Sequence, residues 1–236
     1  MNVLNFQIDK LTNYQINLHM NEIYLQPAEF INSDSEAVIL FTQKIIGTTT
    51  DPIEKAIKLY YAVRDGFNYN PYDIDLSREA MKASSLLKRD YGYCVEKACL
   101  LAACARVAGI PSRLGFARVR NHIATEKLEE ILKTNVMVFH GYTEFFLEGK
   151  WVKSTPAFNK SLCKKLNVLP LEFNGKEDSI FQSYNKEGSQ FMEYLFDYGN
   201  FPDVPLELFI SELKKHYPHL FENHPHSSTH WRVGGE

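Results

Sequence analysis

Fifteen consecutive residues constrain this chain most: Cys94-Val-Glu-Lys-Ala-Cys-Leu-Leu-Ala-Ala-Cys-Ala-Arg-Val-Ala108. Only Glu96, Lys97 and Arg106 are charged, and they do not gather on one face. A helix that is apolar all round must be covered on every side, so this one belongs in the middle of a domain. Its many alanines permit close packing against a sheet. Gly92 lets the chain turn into the helix, and Gly109 followed by Pro111 stops it.

The flanking segments supply the cover. Ser33 to Gly47 reads as a helix capped by Ser33 or Ser35, with Ile39, Leu40, Phe41, Ile45 and Ile46 as its buried stripe. Asp51-Pro52 opens a second helix that ends near Gly66. Phe67 to Asp75 is a loop, and Ala80 to Arg89 a short helix. Ser112 to Val119 reads as a strand, and Thr125 to Lys133 as a helix. Asn135 to Leu147 is the strongest strand. Simple alternation there sets Val136, Val138, His140, Tyr142 and Phe146 against Met137, Phe139, Phe145 and Leu147. Glu148-Gly149-Lys150 turns it into an antiparallel return, Trp151 to Thr155. Residues 157 to 205 read as irregular and aromatic-rich, followed by a helix over Leu206 to Lys215. One or two strands are expected within residues 1 to 30. A single α+β domain over 1–236 follows, with its core at 50–160 and a wrapping region at 161–236.

At 44% hydrophobic and 13% aromatic residues, a packed core is within reach. The net charge of −3 has no basic excess for nucleic acid. No secretory signal is expected at Met1 to Asp9, and no apolar run approaches the roughly 20 residues that span a bilayer. A cytoplasmic protein away from membranes is the expectation. Oligomeric state is not legible. Among the cysteines, Cys94, Cys99 and Cys104 recur every five residues, so their thiols point in different directions and form neither a common metal site nor a disulfide within the helix. No dense oxygen-ligand loop for calcium appears, and no cofactor is implied. The histidines of the tail, His224, His226 and His230, have no Cys or carboxylate at site-like spacing and read as a surface loop.

Cys94 stands at the helix start, where the dipole favours a thiolate. His140 arrives on the strong strand beside Gly141, which leaves room near the imidazole. A thiol and an imidazole are the minimum for nucleophilic acyl transfer: the base takes the thiol proton and returns it to the leaving group. Backbone N–H groups at the helix start can hold the oxyanion.

Two ordered motifs then resemble the transglutaminase-like superfamily. Gly92-Tyr93-Cys94 opens the helix that ends in Gly109-Ile110-Pro111-Ser112-Arg113. His140-Gly141-Tyr142-Thr143-Glu144 precedes Gly149-Lys150-Trp151-Val152. A bacterial subgroup is similar also at Val119-Arg120-Asn121-His122, Thr155-Pro156-Ala157-Phe158-Asn159 and Pro170-Leu171-Glu172-Phe173. The resemblance implies a papain-like cysteine-protease fold, a Cys-His-Asp triad, and action on a peptide or protein amide, as protease, amidase or transamidase.

The third triad member departs from the pattern. Thr155-Pro156 stands where the superfamily has Asp-Pro. A hydroxyl can fix the imidazole tautomer but cannot balance an imidazolium as a carboxylate does. Asn159 is the other candidate, because an ideal hairpin centred between Gly149 and Lys150 pairs residues summing to 299, His140 with Asn159. Asp178 is a further possibility. The subgroup resemblance implies substrate contact at Asn121 and His122, and Tyr93, with Tyr69 and Tyr91, can line a cleft. Glu144 reads as a cross-strand residue holding the hairpin. The missing carboxylate also leaves open a binding module with weak or lost chemistry.

Overall fold

The computed structural model describes residues 22–122, 126–180, 191–222 and 230–232. The strands expected within residues 1 to 30 lie largely outside this range, as do residues 223–229 of the histidine-bearing tail.

Helix α1 spans Glu36–Ile46 and α2 Pro52–Gly66. Asp51 caps α2, its carboxylate accepting the Glu54 N–H at 2.8 Å. On α1 the buried residues are Val38 and Thr42, while Leu40 is 58% exposed. The expected stripe therefore shifts round the helix, because α1 meets its neighbours through Val38, Thr42 and the partly buried Phe41 and Ile45. Two short strands follow, β1 (Asn68–Tyr69) and β2 (Asp73–Asp75), where only a loop was expected. The next helix, α3, is one turn, Ala83–Leu86, shorter than Ala80 to Arg89. Strand β3 (Tyr91–Gly92) pairs in parallel with β1 and leads straight into α4, Cys94–Val107.

Every residue of α4 from Cys94 to Arg106 is buried. Its three charges are partnered. Glu96 takes the Tyr93 N–H at 3.1 Å and pairs with Arg89. The Arg106 guanidinium donates to the carbonyls of Ser112 (3.0 Å), Gln26 (2.6 Å) and Pro202 (2.5 Å). The Lys97 ammonium uses all three protons, on Arg64 O (2.9 Å), Phe67 O (2.7 Å) and Ala157 O (2.8 Å). Burial pushes the Lys97 pKa down to about 7.

Behind α4 stands an antiparallel sheet in the order β6-β5-β4-β7, built from β4 (Ser112–Asn121), β5 (Val136–Leu147), β6 (Lys150–Ser154) and β7 (Met192–Phe201). Helix α5 (Glu126–Leu132) joins β4 to β5, and α6 (Lys160–Lys165) follows β6. Strand β7 corrects the reading of residues 157 to 205 as irregular. Its pairing with β4 shifts register twice, and it leaves Tyr194 and Phe196 exposed, so no clean alternation marks it. Helix α7 (Leu206–His216) contributes Leu206, Phe209 and Leu213 to the same apolar cluster as α4. Helix α8 is His219–Glu222, and β8 (His230–Arg232) pairs with β2.

Mixed helices and antiparallel strands make this an α+β fold. Glu144 is buried, bonded to Arg113 (2.6 Å) and near Lys153 (3.9 Å), its neighbours across β4 and β6, which is the hairpin-holding contact expected of it. Lys97→Met is expected to lower stability by about 3 kcal/mol or more, since it strands three buried carbonyls. Urea unfolding measures this.

Candidate active site

Strand β5 carries an irregularity that decides where its side chains go. Phe139 has a φ of +56°, and the β4–β5 register slips between Ala117 and Val119. A phenylalanine in the left-handed region is held there by packing: it stacks on Phe116 (4.6 Å) and Phe209 (4.9 Å). The bulge overturns simple alternation. Met137 shares a cluster with Tyr142, whereas Val138 and Phe139 both join the α4 cluster.

Beyond the bulge, His140 is buried and sits opposite Ala117 on β4. The next residue, Gly141, lies directly against the first turn of α4. A Cβ at Gly141 would meet Val95 Cα at 3.1 Å. The backbone N–H groups of Gly141 and Val95 lie near the Cys94 sulfur and favour its thiolate. Gly92 is also needed for space: a Cβ there would meet Leu86 Cδ1 at 2.7 Å, and it lies outside the left-handed region, so close packing rather than a sharp turn explains it.

The expected electrostatics of Cys94 are reversed. Burial pushes its thiol up to about 11, outweighing the nearby backbone N–H groups. Burial also pushes His140 down to about 4. At neutral pH the thiol is protonated and the imidazole neutral. Tyr69 lines the same cavity as Cys94, and its hydroxyl is held well above its usual range by burial and by that sulfur.

Thr155 is buried, and its hydroxyl has no hydrogen-bond partner among the described residues. Its N–H donates to Ser179 O (2.9 Å). The hairpin register differs from the ideal one: Thr143 faces Ser154 and Phe145 faces Val152, so paired numbers sum to 297. Asn159 is therefore not opposite His140. It lies past the end of β6, with Oδ1 accepting the Tyr69 N–H (2.9 Å) and Nδ2 donating to Ser161 Oγ (2.6 Å). Asp178 accepts the Lys153 N–H (2.9 Å) at an exposed position.

Of the residues read as substrate contacts, Tyr93 lines a cavity at Cys94, with its hydroxyl on Met81 Sδ (3.1 Å). Asn121 is buried at the end of β4 and lines a separate cavity with Tyr69 and Phe158. His122 stands at the surface, 3.2 Å from Glu193, and lines neither. Phe209, Leu213 and Tyr217 come to Cys94 from the chain's last third. Nothing local in the sequence marks them. Among the described residues no cluster of His, Cys, Asp or Glu could hold a metal ion, and no helix is long and apolar enough to cross a membrane.

His140 makes stability pH-dependent. Between pH 4 and 6.5 the unfolded chain binds a proton at His140 that the folded chain does not. Stability therefore falls as pH drops through that window, by about 3 kcal/mol. His140→Gln is expected to flatten this part of the urea-midpoint profile. Gly141→Ala is expected to cost about 1–3 kcal/mol, since its methyl presses on the backbone of α4. Its thermal unfolding checks this.

Residues 40–156 match the model of the transglutaminase-like superfamily. None of the curated proteins matches the chain. Among solved structures, the chain is similar to a putative cysteine protease from Cytophaga hutchinsonii, at 17% identity and a TM-score of 0.44 over 56% of this chain and 40% of that one. It is similar also to a putative protease from Parabacteroides distasonis, at 18% identity and a TM-score of 0.36 over 53% of this chain and 25% of that one. The chain thus spans two-fifths or less of the length of these structures. Through residues 40–156, which hold Cys94, His140 and Thr155, the chain belongs to the transglutaminase-like superfamily.

Proposed function

We propose that the protein catalyses thiol-dependent acyl transfer on amide bonds, with Cys94 as nucleophile, His140 as general base and the unengaged hydroxyl of Thr155 as the group available to orient the imidazole. The observation that carries this reading is the close approach of Gly141, next in the chain to His140, to the first turn of α4, which Cys94 opens: a Cβ at Gly141 would meet Val95 Cα at 3.1 Å. Backbone N–H groups at such a helix start suit the oxyanion that forms when sulfur attacks a carbonyl.

The resting pair is uncharged, so the proton moves during attack. The sulfur bonds to the carbonyl carbon as His140 takes the thiol proton. His140 then passes it to the departing amine, and the C–N bond breaks to leave a thioester on Cys94. Water, giving a proton to His140, attacks the thioester and frees the acid and the thiol. Hydrolysis is the simpler outcome, because transamidation needs a second entrance for an amine. Thr155 is favoured over Asn159 as orienter because the hydroxyl of Thr155 is unused, while the Asn159 amide already ties Tyr69 and Ser161. A single domain and a peptide or protein amide as substrate belong to this reading.

A second reading is a binding module with weak chemistry. It is favoured by the upward shift of Cys94 and by a hydroxyl standing where a carboxylate would be expected.

A panel of blocked fluorogenic peptide amides decides between them. Turnover is expected to disappear in Cys94→Ala, to fall at least a hundredfold in His140→Ala, and to fall about tenfold or more in Thr155→Val. Hydroxylamine should divert the product to a hydroxamate. Turnover that survives Cys94→Ala, or acylation of Cys94 no faster than of the buried Cys163 with every substrate, would overturn the enzyme reading.

A further inference from the structure

The cavity at Cys94 has no charged and no amide side chain on its wall among the described residues. Leu128 and Ile131 come from α5, Val138 and Phe139 from the β5 bulge, and Phe209 and Leu213 from α7. The hydroxyls of two of its three tyrosines are already engaged. The Tyr217 hydroxyl accepts the Val138 N–H (3.0 Å) and donates to Val136 O (2.8 Å). The Tyr93 hydroxyl is on Met81 Sδ, and that of Tyr69 is beside Cys94. The reactive sulfur is thus set in the wall of an apolar chamber.

We infer that this chamber receives the acyl side of the substrate, and that the acyl group carries an uncharged hydrocarbon chain or side chain of on the order of three carbons beyond the carbonyl. The inference rests on the acyl-transfer reading of Cys94 and names its substrate class.

Three observations support it. The acyl group stays on the sulfur until the thioester is resolved, whereas the leaving group must escape, so the enclosed side of the nucleophile suits the acyl part. A carboxamide or a charge placed there would give up its water without gaining a partner, since the Tyr217 and Tyr93 hydroxyls are committed. The space is about 80 Å³, room for on the order of three carbons beyond the carbonyl. Acetyl would leave most of it empty, and a ten-carbon chain would overfill it.

Each methylene moved from water into such a wall is worth about fourfold in transition-state binding. Two more methylenes, from acetyl to butyryl, are then worth on the order of tenfold.

p-Nitrophenyl acetate, butyrate, hexanoate and decanoate test this on the full chain. A blocked glutaminyl-glycine serves as the carboxamide probe, and the Cys94 adduct is followed by intact mass with Cys94→Ser as control. Acylation is expected to rise about tenfold from acetate to butyrate, to fall at decanoate, and to be undetectable with the glutaminyl peptide. Leu213→Phe, which takes up part of the chamber, should move the optimum to a shorter chain. An adduct at Cys94 with no chain-length preference, or faster with the glutaminyl peptide, overturns the apolar-acyl inference and leaves the thiol reading standing. An unchanged profile in Leu213→Phe likewise overturns it. No Cys94 adduct from any probe overturns both.

Discussion

The whole architecture answers to the burial of α4. A helix covered on every side requires a layer of helices at its front and a sheet at its back, and both are present. It also requires a partner for each charge it takes inside, because an unpaired buried charge is strongly destabilising. Those partners are spread along the chain. Arg89 neutralises Glu96, Arg106 gathers carbonyls from Gln26, Ser112 and Pro202, and Lys97 gathers carbonyls from Arg64, Phe67 and Ala157. Lys97 therefore links the end of α2, the approach to Tyr69 and the segment after Thr155 to the same turn that presents Cys94.

The site depends on close approach between β5 and the start of α4. Gly141 permits it, since any side chain there would press on Val95. The bulge at Phe139 sets its consequences. It puts two adjacent side chains, Val138 and Phe139, on the α4 side and builds part of the apolar chamber from them. Burial keeps both the thiol and the imidazole neutral.

Much of this is legible from local pattern. The α2 start at Asp51-Pro52, the limits of α4 and the β5–β6 turn follow from capping, composition and turn chemistry, which act over a few residues. Legibility fails where distant elements decide. Pairing in the β5–β6 hairpin is two residues off the ideal sum, which removes Asn159 from His140 and leaves Thr155 with the free hydroxyl. Alternation along β5 is broken by a phenylalanine held at positive φ by Phe116 and Phe209. The shift at Cys94 has the opposite sign to the helix-end expectation, because the desolvation of a buried sulfur exceeds what a helix terminus returns.

The sequence by itself determined that α4 would be central, that Cys94 would open it, and that His140 would lie on the best strand, with Glu144 tying that strand to its neighbours. These are consequences of residue type and spacing. Only the tertiary structure decided what surrounds the sulfur. Tyr69, Val138, Leu213 and Tyr217 meet there from three segments spread over more than a hundred residues of chain. No periodicity records such a meeting, because it arises from how α7 and the β5 bulge pack over the end of a buried helix.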